Sequence, residues 1–318
     1  MGQIGSELVP ALRAVYGGAA VLATDLRAAE DAAGTGERPS EVLDCLDAAA
    51  LADAVRRHRA RTIYHLAALL SARAEADPAR AYTVNMGTLL NVLEVARDAG
   101  CAVFVPSSIA AFGPDGPRDP APQDGAQRPT TMYGVTKVAG ELLCDYYHAR
   151  YGVDTRGVRY PGIISYSAEP GGGTTDYAVE MFVHAASGRR YSCYLEADTQ
   201  LDMMYMPDAV RAAMELMAAD ASRLRHRNAF NIAAMQFTPA ELAAQIRRRV
   251  PEFEVEYRVD PVRQRIADSW PRRLDDAAAR AEWGWSPRYD LDAMADDMLR
   301  HLGAARTQPA ESAGEANG

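Results

Sequence analysis

The chain has almost no lysine: of its 34 lysines and arginines, 33 are arginines and one, Lys137, is a lysine. Its four cysteines are widely spaced, and it has neither a Cys-x-x-Cys nor a His-x-x-x-His pair, which argues against a disulfide framework and against any metal site. No apolar stretch reaches the ~18 residues that a membrane span requires, and the N-terminal residues lack the pattern of a signal peptide. The net charge of −9 argues against non-specific binding to nucleic acid. These absences predict a cytoplasmic chain with reduced thiols that binds neither membranes nor nucleic acids.

A tyrosine lies four residues before the one lysine, in Met132-Tyr-Gly-Val-Thr-Lys137. Residues i and i+4 share one face of a helix, so Tyr133 and Lys137 are expected to present a phenol and an ammonium group at one spot. The lysine ammonium is a compact charge with a variable pKa, whereas the guanidinium of arginine stays charged. A nearby positive charge lowers the pKa of a phenol below its usual value of about 10, which makes Tyr133 a candidate base. The alternative is an ordinary surface lysine on an amphipathic helix.

Apolar and amphipathic stretches alternate along the first half of the chain. They predict helices near 6–16, 47–59, 79–99 and 133–151, and strands near 19–24, 61–65, 102–106 and 154–160. Strands that alternate with helices predict right-handed crossovers and a doubly wound parallel sheet. We expect Ser6 to cap the first helix, and Thr174 or Thr175 to cap a later one that ends near Ser187.

The alternation is less regular after Gly162, which predicts a second, smaller lobe. The expected organisation is a nucleotide-binding domain over 1–160 and a mainly substrate-binding lobe over 161–302 that returns in part to the sheet. The residues over 303–318, rich in Ala, Gly, Glu and Pro, are expected to form a disordered tail.

Glycines at positions 2 and 5 open the first predicted helix. Glycine lets the backbone approach a pyrophosphate closely, and a helix N-terminus stabilises the negative charge. Asp25 follows at the end of the next strand, where a carboxylate binds an adenosine ribose and repels a 2′-phosphate. This spacing favours NAD over NADP as cofactor, although Asp25 can also be read as an ordinary acid at a strand end.

Three further sites are expected at the edge where parallel strands end, because ligands bind beyond the carboxyl ends of such strands. They are Ala67–Ala68, Ser108 and Gly162, each of which follows an apolar strand. A serine hydroxyl at this edge can hold an alcohol or carbonyl oxygen while Tyr133 removes a proton. Ser107 is the nearest rival to Ser108 for this role; its alternative role is to turn the chain. The sequence therefore predicts a Ser108–Tyr133–Lys137 group beside a bound dinucleotide.

Taken together, these motifs resemble the extended short-chain dehydrogenase/reductase family, which includes the NAD-dependent epimerases and dehydratases. The residues that carry the resemblance are Gly2-x-x-Gly5, Asp25, His65-Leu-Ala-Ala68, Asn85-x-x-Gly-Thr-Leu-Leu-Asn-Val-Leu-Glu94, Ser107-Ser108 and Tyr133-x-x-x-Lys137. The resemblance implies a Rossmann-like α/β fold and NAD as cofactor, with Ser108, Tyr133 and Lys137 as catalytic residues. The cofactor contacts that it implies are Gly2, Gln3, Ile4, Gly5, Asp25, Leu26, Arg27, Asp44, Leu66, Ala67, Ala68, Asn85, Tyr133, Lys137, Tyr160, Gly162 and Ile163.

Three later stretches resemble the short-chain type of L-threonine 3-dehydrogenase within this family. They are Arg159-Tyr-Pro-Gly-Ile-Ile-Ser165, Pro170-Gly-Gly-Gly-Thr-Thr-Asp-Tyr-Ala178 and Asp202-Met-Met-Tyr-Met-Pro-Asp208. This similarity implies oxidation of the L-threonine β-hydroxyl by NAD to 2-amino-3-oxobutanoate. The substrate contacts that it implies are Ser71, Ser108, Arg118, Tyr133, Gly173 and Thr175. Relatives often pair through long helices, so we expect a homodimer with Glu141 and Tyr146–Tyr147 in its interface.

Two other functions compete with this interpretation. A nucleotide-sugar epimerase or dehydratase of the same fold usually has an Asn and an Arg for the sugar diphosphate. Here Gly162 and Leu201 occupy those regions, which favours a small zwitterion whose carboxylate Arg118 can bind. A different class is an inactive NAD-binding or regulatory protein.

The second alternative arises because relatives have a strand and a first glycine ahead of the residues that match Gly2–Gly5, whereas only Met1 precedes them here. The sheet is therefore expected to lack its first strand, which would leave the strands near Val21 and Ile63 without a shared neighbour. We expect a truncated or misassigned start. If Met1 is the true start, we expect weak NAD affinity and low stability.

Overall fold

The computed structural model describes residues 1–27, 39–167 and 171–307. The helices are α1 Gln3–Tyr16, α2 Ala48–His58, α3 Ser71–Ala76, α4 Pro78–Ala99, α5 Met132–Tyr151, α6 Tyr177–Ala186, α7 Met206–Ala218, α8 Pro239–Arg247, α9 Pro261–Asp268, α10 Ala277–Trp283 and α11 Leu291–Thr307. The strands are β1 Ala23–Asp25, β2 Ser40–Val42, β3 Thr62–Tyr64, β4 Ala102–Phe104, β5 Ser107–Ser108, β6 Thr155–Arg156, β7 Val158–Tyr160, β8 Gly162–Ile164, β9 Tyr191–Cys193, β10 Leu201–Tyr205, β11 Phe230–Asn231, β12 Met235–Phe237 and β13 Val255–Tyr257.

The central strands are all parallel. β3 pairs with β4, and β4 pairs with β6. β5 and β7 directly follow β4 and β6 in the chain; β5 pairs with β7, and β7 pairs with β11. Because strands that run in one direction end at one edge, Ser108 at the end of β5 and Tyr160 at the end of β7 lie side by side. Helices cover both faces, with α1 and α7 in one hydrophobic cluster and α2, α4 and α5 in another. The predicted Rossmann-like α/β fold is confirmed.

β1 and β2 form a separate parallel pair. Among the described residues, no strand ladder joins this pair to β3, so the strands near Val21 and Ile63 lie in different sheets. This is the arrangement expected for these two strands from the sequence.

A single residue, Pro161, separates β7 from β8, the strand that begins a second sheet. β7 belongs to the parallel sheet, whereas β8 pairs with β10, with Gly162 opposite Met203. β10 also pairs with the antiparallel strand β12. The smaller lobe has its own hydrophobic cluster, which contains buried side chains of α6, α8, α11 and these strands. The chain therefore passes from one sheet to the other between Tyr160 and Gly162.

Several expected helix boundaries were wrong. α1 begins at Gln3 because Gly2 takes the extended N-cap conformation, and the Ser6 hydroxyl donates to the Gln3 carbonyl oxygen (2.8 Å) instead of capping the helix. The N-cap of α6 is Asp176, so neither Thr174 nor Thr175 caps it. The short helix α3 was not expected.

The C-terminal helix α11 continues to Thr307, so the first residues of the expected tail are helical. The rest of that tail, 308–318, lies outside the described residues. Over the described ranges, none of the helices combines the length and the apolar composition needed to cross a membrane.

The start of α5 packs closely on the chain that follows β5. The Thr131 hydroxyl caps α5 by accepting from the Gly134 N–H (3.1 Å). A methyl group at Gly134 would overlap the Ala110 carbonyl oxygen and would lie 2.5 Å from the Pro129 Cβ. Only glycine allows the helix to lie this close to the end of β5, which carries Ser108.

We expect Gly134→Ala to lower the free energy of unfolding by about 1–3 kcal/mol, because backbone atoms must move to admit the methyl group. Urea denaturation measures this loss. The matched control is Gly303→Ala in α11, where a Cβ would meet no atom within 4 Å. In an open helical position alanine is favoured by up to about 1 kcal/mol. Equal stability of the two variants would contradict the packing argument.

Candidate active site at the carboxyl ends of the parallel strands

The structure brings Ser108, Tyr133 and Lys137 together. The Tyr133 phenol lies beside the Ser108 hydroxyl, which favours the ionised form of the phenol. The Lys137 Nζ lies 5.4 Å from the centre of the Tyr133 ring and donates to the Pro106 carbonyl oxygen (2.7 Å). The helical spacing of four residues places both side chains on the face of α5 that meets the end of β5. The arrangement has an acid–base group, a hydroxyl that can hold an oxygen, and a cation.

Burial changes the acidity of both groups on α5. It raises the pKa of Tyr133 to about 12, and the neighbouring Ser108 hydroxyl partly opposes this rise. It lowers the pKa of Lys137 to about 8, and the Glu141 carboxylate and the Cys144 thiol oppose this fall. Each shift has the same cause, because a buried site disfavours the charged form of either group. Tyr133 can therefore act as a base near neutral pH only when positive charge lies beside it.

The N-terminus of α1 has the features of a phosphate site. Its N-cap residue, Gly2, is exposed and forms no side-chain cap, so the first N–H groups of the helix can bind an anion. The Gln3 Nε2 is buried without a hydrogen-bond partner. Gly5 is also buried, and a Cβ there would lie 3.7 Å from the Leu66 Cδ1. The residues present fit a dinucleotide pyrophosphate between α1 and the segment after β3.

The predicted ribose site lies at the ends of β1 and β2. The Asp25 carboxylate accepts a hydrogen bond from the Arg27 N–H (3.1 Å) and forms an ion pair with the Met1 amine (3.4 Å). Leu26 is exposed, as is Arg27. Asp44 follows the parallel neighbour β2 and therefore lies at the same end of this pair. A partly buried carboxylate next to a strand end fits the hydroxyl groups of a ribose.

Asn85 holds the segment after β3 against α5. Its amide oxygen accepts from the Leu69 N–H (2.7 Å), and its amide nitrogen donates to the Thr136 hydroxyl (3.1 Å). A cavity beside this contact is lined by Leu66, Ala67, Ala68, Asn85, Ser107, Lys137 and Glu141, among others. Four of the predicted cofactor residues thus share one cavity with the predicted catalytic lysine. Asn85 itself is mainly a support for that cavity.

Gly162 packs directly against the side chain of Thr175, a predicted substrate residue. A Cβ at Gly162 would lie 2.6 Å from the Thr175 Cγ2 and would overlap the Met203 sulfur. Ile163 follows in β8, half-buried. The Tyr160 hydroxyl donates to the Ala209 carbonyl oxygen (2.6 Å), so this side chain belongs to the core beneath the sheet. Because the Tyr160 side chain is buried, only its backbone atoms are available for the predicted contact with the cofactor.

The loop of Gly171, Gly172 and Gly173 meets the beginning of α3. A Cβ at Gly171 would lie 3.2 Å from the Leu70 Cδ1, and Ser71 is the next residue, buried at the first turn of that helix. This contact brings two predicted substrate residues, Ser71 and Gly173, to one region.

Asp176 shapes this glycine loop, and the sequence analysis did not identify it. Its buried carboxylate accepts from the N–H groups of Gly172 (2.8 Å) and Gly173 (2.7 Å). Burial raises the pKa of Asp176, and these two bonds oppose the rise. An aspartate three residues after a run of glycines was the available signal.

Arg118 is joined to the smaller lobe. Its Nη2 and Nε donate to the Trp270 carbonyl oxygen (2.6 and 3.1 Å). Burial lowers the pKa of Arg118, and the nearby Arg272 acts in the same direction. The structure thus places this predicted carboxylate-binding residue against the chain that follows α9.

Glu141 was expected in a dimer interface, and that expectation was wrong. Its side chain is buried and pairs with Arg159 through two bonds, Nη2 to Oε2 (2.8 Å) and Nε to Oε1 (3.1 Å). The Ser107 hydroxyl donates to the same carboxylate. Glu141 lies four residues after Lys137 on α5, and this spacing indicated that both side chains lie on the buried face of the helix. Tyr147 is buried as well, whereas Tyr146 is exposed.

A model of the NAD dependent epimerase/dehydratase family matches residues 1–233. An uncharacterised epimerase/dehydratase of Staphylococcus haemolyticus is 51% identical over 302 residues, which cover 95% of each chain. The solved L-threonine dehydrogenase of Clostridium difficile is 52% identical, with a TM-score of 0.92 and coverage of 96% of this chain and 95% of the other. A monomeric L-threonine 3-dehydrogenase from a metagenome is 42% identical, with a TM-score of 0.91 and coverage of 96% and 97%. The chain thus belongs to the NAD-dependent epimerase/dehydratase family of enzymes, the extended short-chain dehydrogenases/reductases that its motifs resemble.

Proposed function

We propose that this enzyme oxidises the β-hydroxyl of L-threonine with NAD and yields 2-amino-3-oxobutanoate. The observation that carries the proposal is the meeting of Ser108, Tyr133 and Lys137 at the edge where β5 and β7 end. The two similar solved structures named as threonine dehydrogenases support the choice of substrate.

The proposed reaction divides the work between these side chains. Ser108 and Tyr133 bind the threonine hydroxyl, and the Tyr133 phenolate takes its proton as the carbonyl forms. When bound, NAD supplies the acceptor for the hydride that leaves the β-carbon. The positive charge of Lys137 lowers the pKa of the Tyr133 phenol, and its ammonium group donates a hydrogen bond to the cofactor ribose. One proton and one hydride leave the alcohol, so the reaction balances.

The cofactor would be held by the first part of the chain. The pyrophosphate is proposed to lie at the start of α1, the adenosine ribose at Asp25, and the nicotinamide near Ala67–Ala68, Gly162 and Ile163. We propose that residues 1–160 form the NAD-binding domain and 161–302 mainly the substrate-binding lobe. Ser71, Arg118, Gly173 and Thr175 are the proposed substrate contacts beside Ser108 and Tyr133.

The alternative substrate class, a nucleotide sugar, has less support. Leu201 lies in the region where such enzymes carry an arginine for the diphosphate, and it is buried in β10. Thr199 is also buried and hydrogen-bonded to Gln264 (3.0 Å). This stretch of the chain therefore offers no cation for a diphosphate, whereas a small amino acid needs none there.

Tyr133→Phe should reduce kcat/KM for threonine by at least ~100-fold, because the variant has no base for the hydroxyl proton. NADH formation measures the rate, and fluorescence titration with NAD should give an unchanged Kd. The matched control is Tyr151→Phe, at the exposed far end of the same helix, which should retain full activity.

The same assay discriminates between substrates when threonine, serine, 3-hydroxybutyrate, UDP-glucose and UDP-galactose are compared. Conversion of a UDP-sugar without oxidation of threonine would overturn the proposal. Retained threonine oxidation by Tyr133→Phe would exclude the proposed base.

Lys137→Arg should lower kcat/KM at least ~10-fold although the positive charge is kept, because a planar guanidinium cannot replace a compact ammonium beside the phenol. Steady-state kinetics at saturating NAD measure the effect. Arg150→Lys, an exchange in the opposite direction on an exposed turn of the same helix, is the control and should be neutral. Near-normal turnover of Lys137→Arg would show that any positive charge suffices.

We also propose that two copies pair through α4 and α5. Val135, Leu142 and Tyr146 are exposed at a spacing of i, i+7 and i+11, which places them on one face of α5. Tyr82 and Leu90 are exposed on the neighbouring helix α4. A two-fold axis across this surface would bury the same patch on both copies.

Leu142→Arg should convert the dimer to a monomer, because each copy would place a buried charge in the apolar contact. Light scattering after size-exclusion chromatography measures the mass. Val262→Arg, at another exposed apolar position, is the control and should leave the mass unchanged. A monomeric mass for the unmodified chain, as in the similar metagenomic protein, would contradict the pairing.

A further inference from the structure

A second group of charged side chains lies directly behind the proposed active site. The Glu141 carboxylate accepts four hydrogen bonds from three residues: one from Ser107 in β5, two from Arg159 in β7, and one from the Gln127 amide (2.6 Å). Arg159 in turn donates to the Gln123 carbonyl oxygen (2.8 Å) and the Asn231 side chain (3.0 Å). Both charged side chains are about 93% buried. A buried ion pair is tolerated when further hydrogen bonds satisfy it in this way.

This ion pair and the catalytic lysine share one environment. Lys137 and Glu141 are four residues apart on α5, so they project from the same face of the helix. Both line the cavity that also contains Ser107 and the residues after β3. The charge of Glu141 therefore acts on Lys137 across a region with little water to screen it.

The other titratable groups around Lys137 carry no negative charge near neutral pH. His65 at the end of β3 is neutral, since burial and then the Lys137 charge lower its pKa to about 4. Burial raises the pKa of the Cys144 thiol, and Tyr133 is raised to a pKa of about 12. Among the described groups that face Lys137, Glu141 is thus the anion, and Arg159 is the second cation.

Lys137 needs such an anion because its direct hydrogen-bond partner is neutral. Its ammonium donates to the Pro106 carbonyl oxygen, which carries no formal charge. Burial disfavours the ammonium form, and Glu141 is the first influence that opposes burial. Removal of the Glu141 charge would leave two buried cations, Lys137 and Arg159, without a compensating carboxylate. Lys137 would then lose its proton more easily.

The same carboxylate also fixes the strand end that carries Ser108. Its partner Ser107 is the residue immediately before Ser108, and both belong to β5. One side chain therefore acts on two parts of the site, the charge of Lys137 and the position of Ser108.

We propose that Glu141, paired with Arg159, is a positioning residue that keeps Lys137 in its charged form and holds the Ser107–Ser108 end of β5 in place. Its catalytic consequence rests on the proposed dehydrogenase function, whereas its effect on Lys137 does not.

The lysine-poor composition allows a direct test. Because Lys137 is the only lysine, protein grown with ε-¹³C-lysine gives one side-chain NMR signal whose titration reports the charge of this residue alone. The titration is measured for the unmodified chain, Glu141→Gln, Glu141→Asp and Arg159→Met. The control is Asp145→Asn, which removes a carboxylate from the next turn of α5. Thermal denaturation confirms that each variant is folded.

We expect shifts of opposite sign. Glu141→Gln should move the midpoint of the Lys137 titration down by at least about half a unit, and Arg159→Met should move it up, because Glu141 then acts without a competing cation. Glu141→Asp should stay closer to the unmodified chain, and Asp145→Asn should not shift. A Lys137 midpoint unchanged in folded Glu141→Gln would overturn the proposal. If that variant does not fold, an unchanged or lowered midpoint in Arg159→Met overturns it.

The pH profile of NADH formation from threonine provides the second readout. In Glu141→Gln the alkaline limit of kcat/KM should move in the same direction as the Lys137 midpoint, whereas a purely structural defect would reduce activity equally at every pH. If no variant oxidises threonine, including the unmodified chain, the proposed function fails. The NMR titration still decides the role of Glu141 in that case.

Discussion

The close approach of α5 to the end of β5 is the constraint on which the rest of the site depends. It exists because Gly134 has no side chain at the contact with the Ala110 carbonyl, and because Thr131 starts the helix at a fixed residue. One turn of helix then places Tyr133 beside Ser108, and a second places Lys137 beside the Pro106 carbonyl. The arrangement of the site follows from this backbone geometry, since it brings the three side chains to one place.

Burial makes this geometry useful and also imposes a cost. The low-polarity surroundings raise the pKa of Tyr133 and lower that of Lys137, so both changes oppose the charged pair that proton removal requires. The Glu141 carboxylate lies on one side as the nearby anion, and a bound nicotinamide would supply a positive charge on the other. An arginine at position 137 would avoid the loss of charge, but it would not fit beside the phenol.

The sequence predicted the parallel sheet, the long helices and the meeting of Ser108, Tyr133 and Lys137, because these depend on local periodicity and on the rule that parallel strands end at one edge. It did not predict the starts of α1 and α6, where Ser6 and Thr174 or Thr175 were expected at the N-cap positions that Gly2 and Asp176 occupy. It also placed Glu141 on the surface. A charged residue is normally exposed, and the partner that stabilises its burial, Arg159, lies eighteen positions later in the sequence. Contacts between residues far apart in sequence leave no periodic signal.

The transition from β7 to β8 has a mechanical consequence. Tyr160 belongs to the parallel sheet and Gly162 to the sheet of the smaller lobe, with Pro161 alone between them. The proline ring fixes one of the two backbone torsions at this joint. Because the joint is one residue long, Gly162 and the Thr175 side chain packed on it are held close to the end of β7, whose neighbour in the sheet is Ser108.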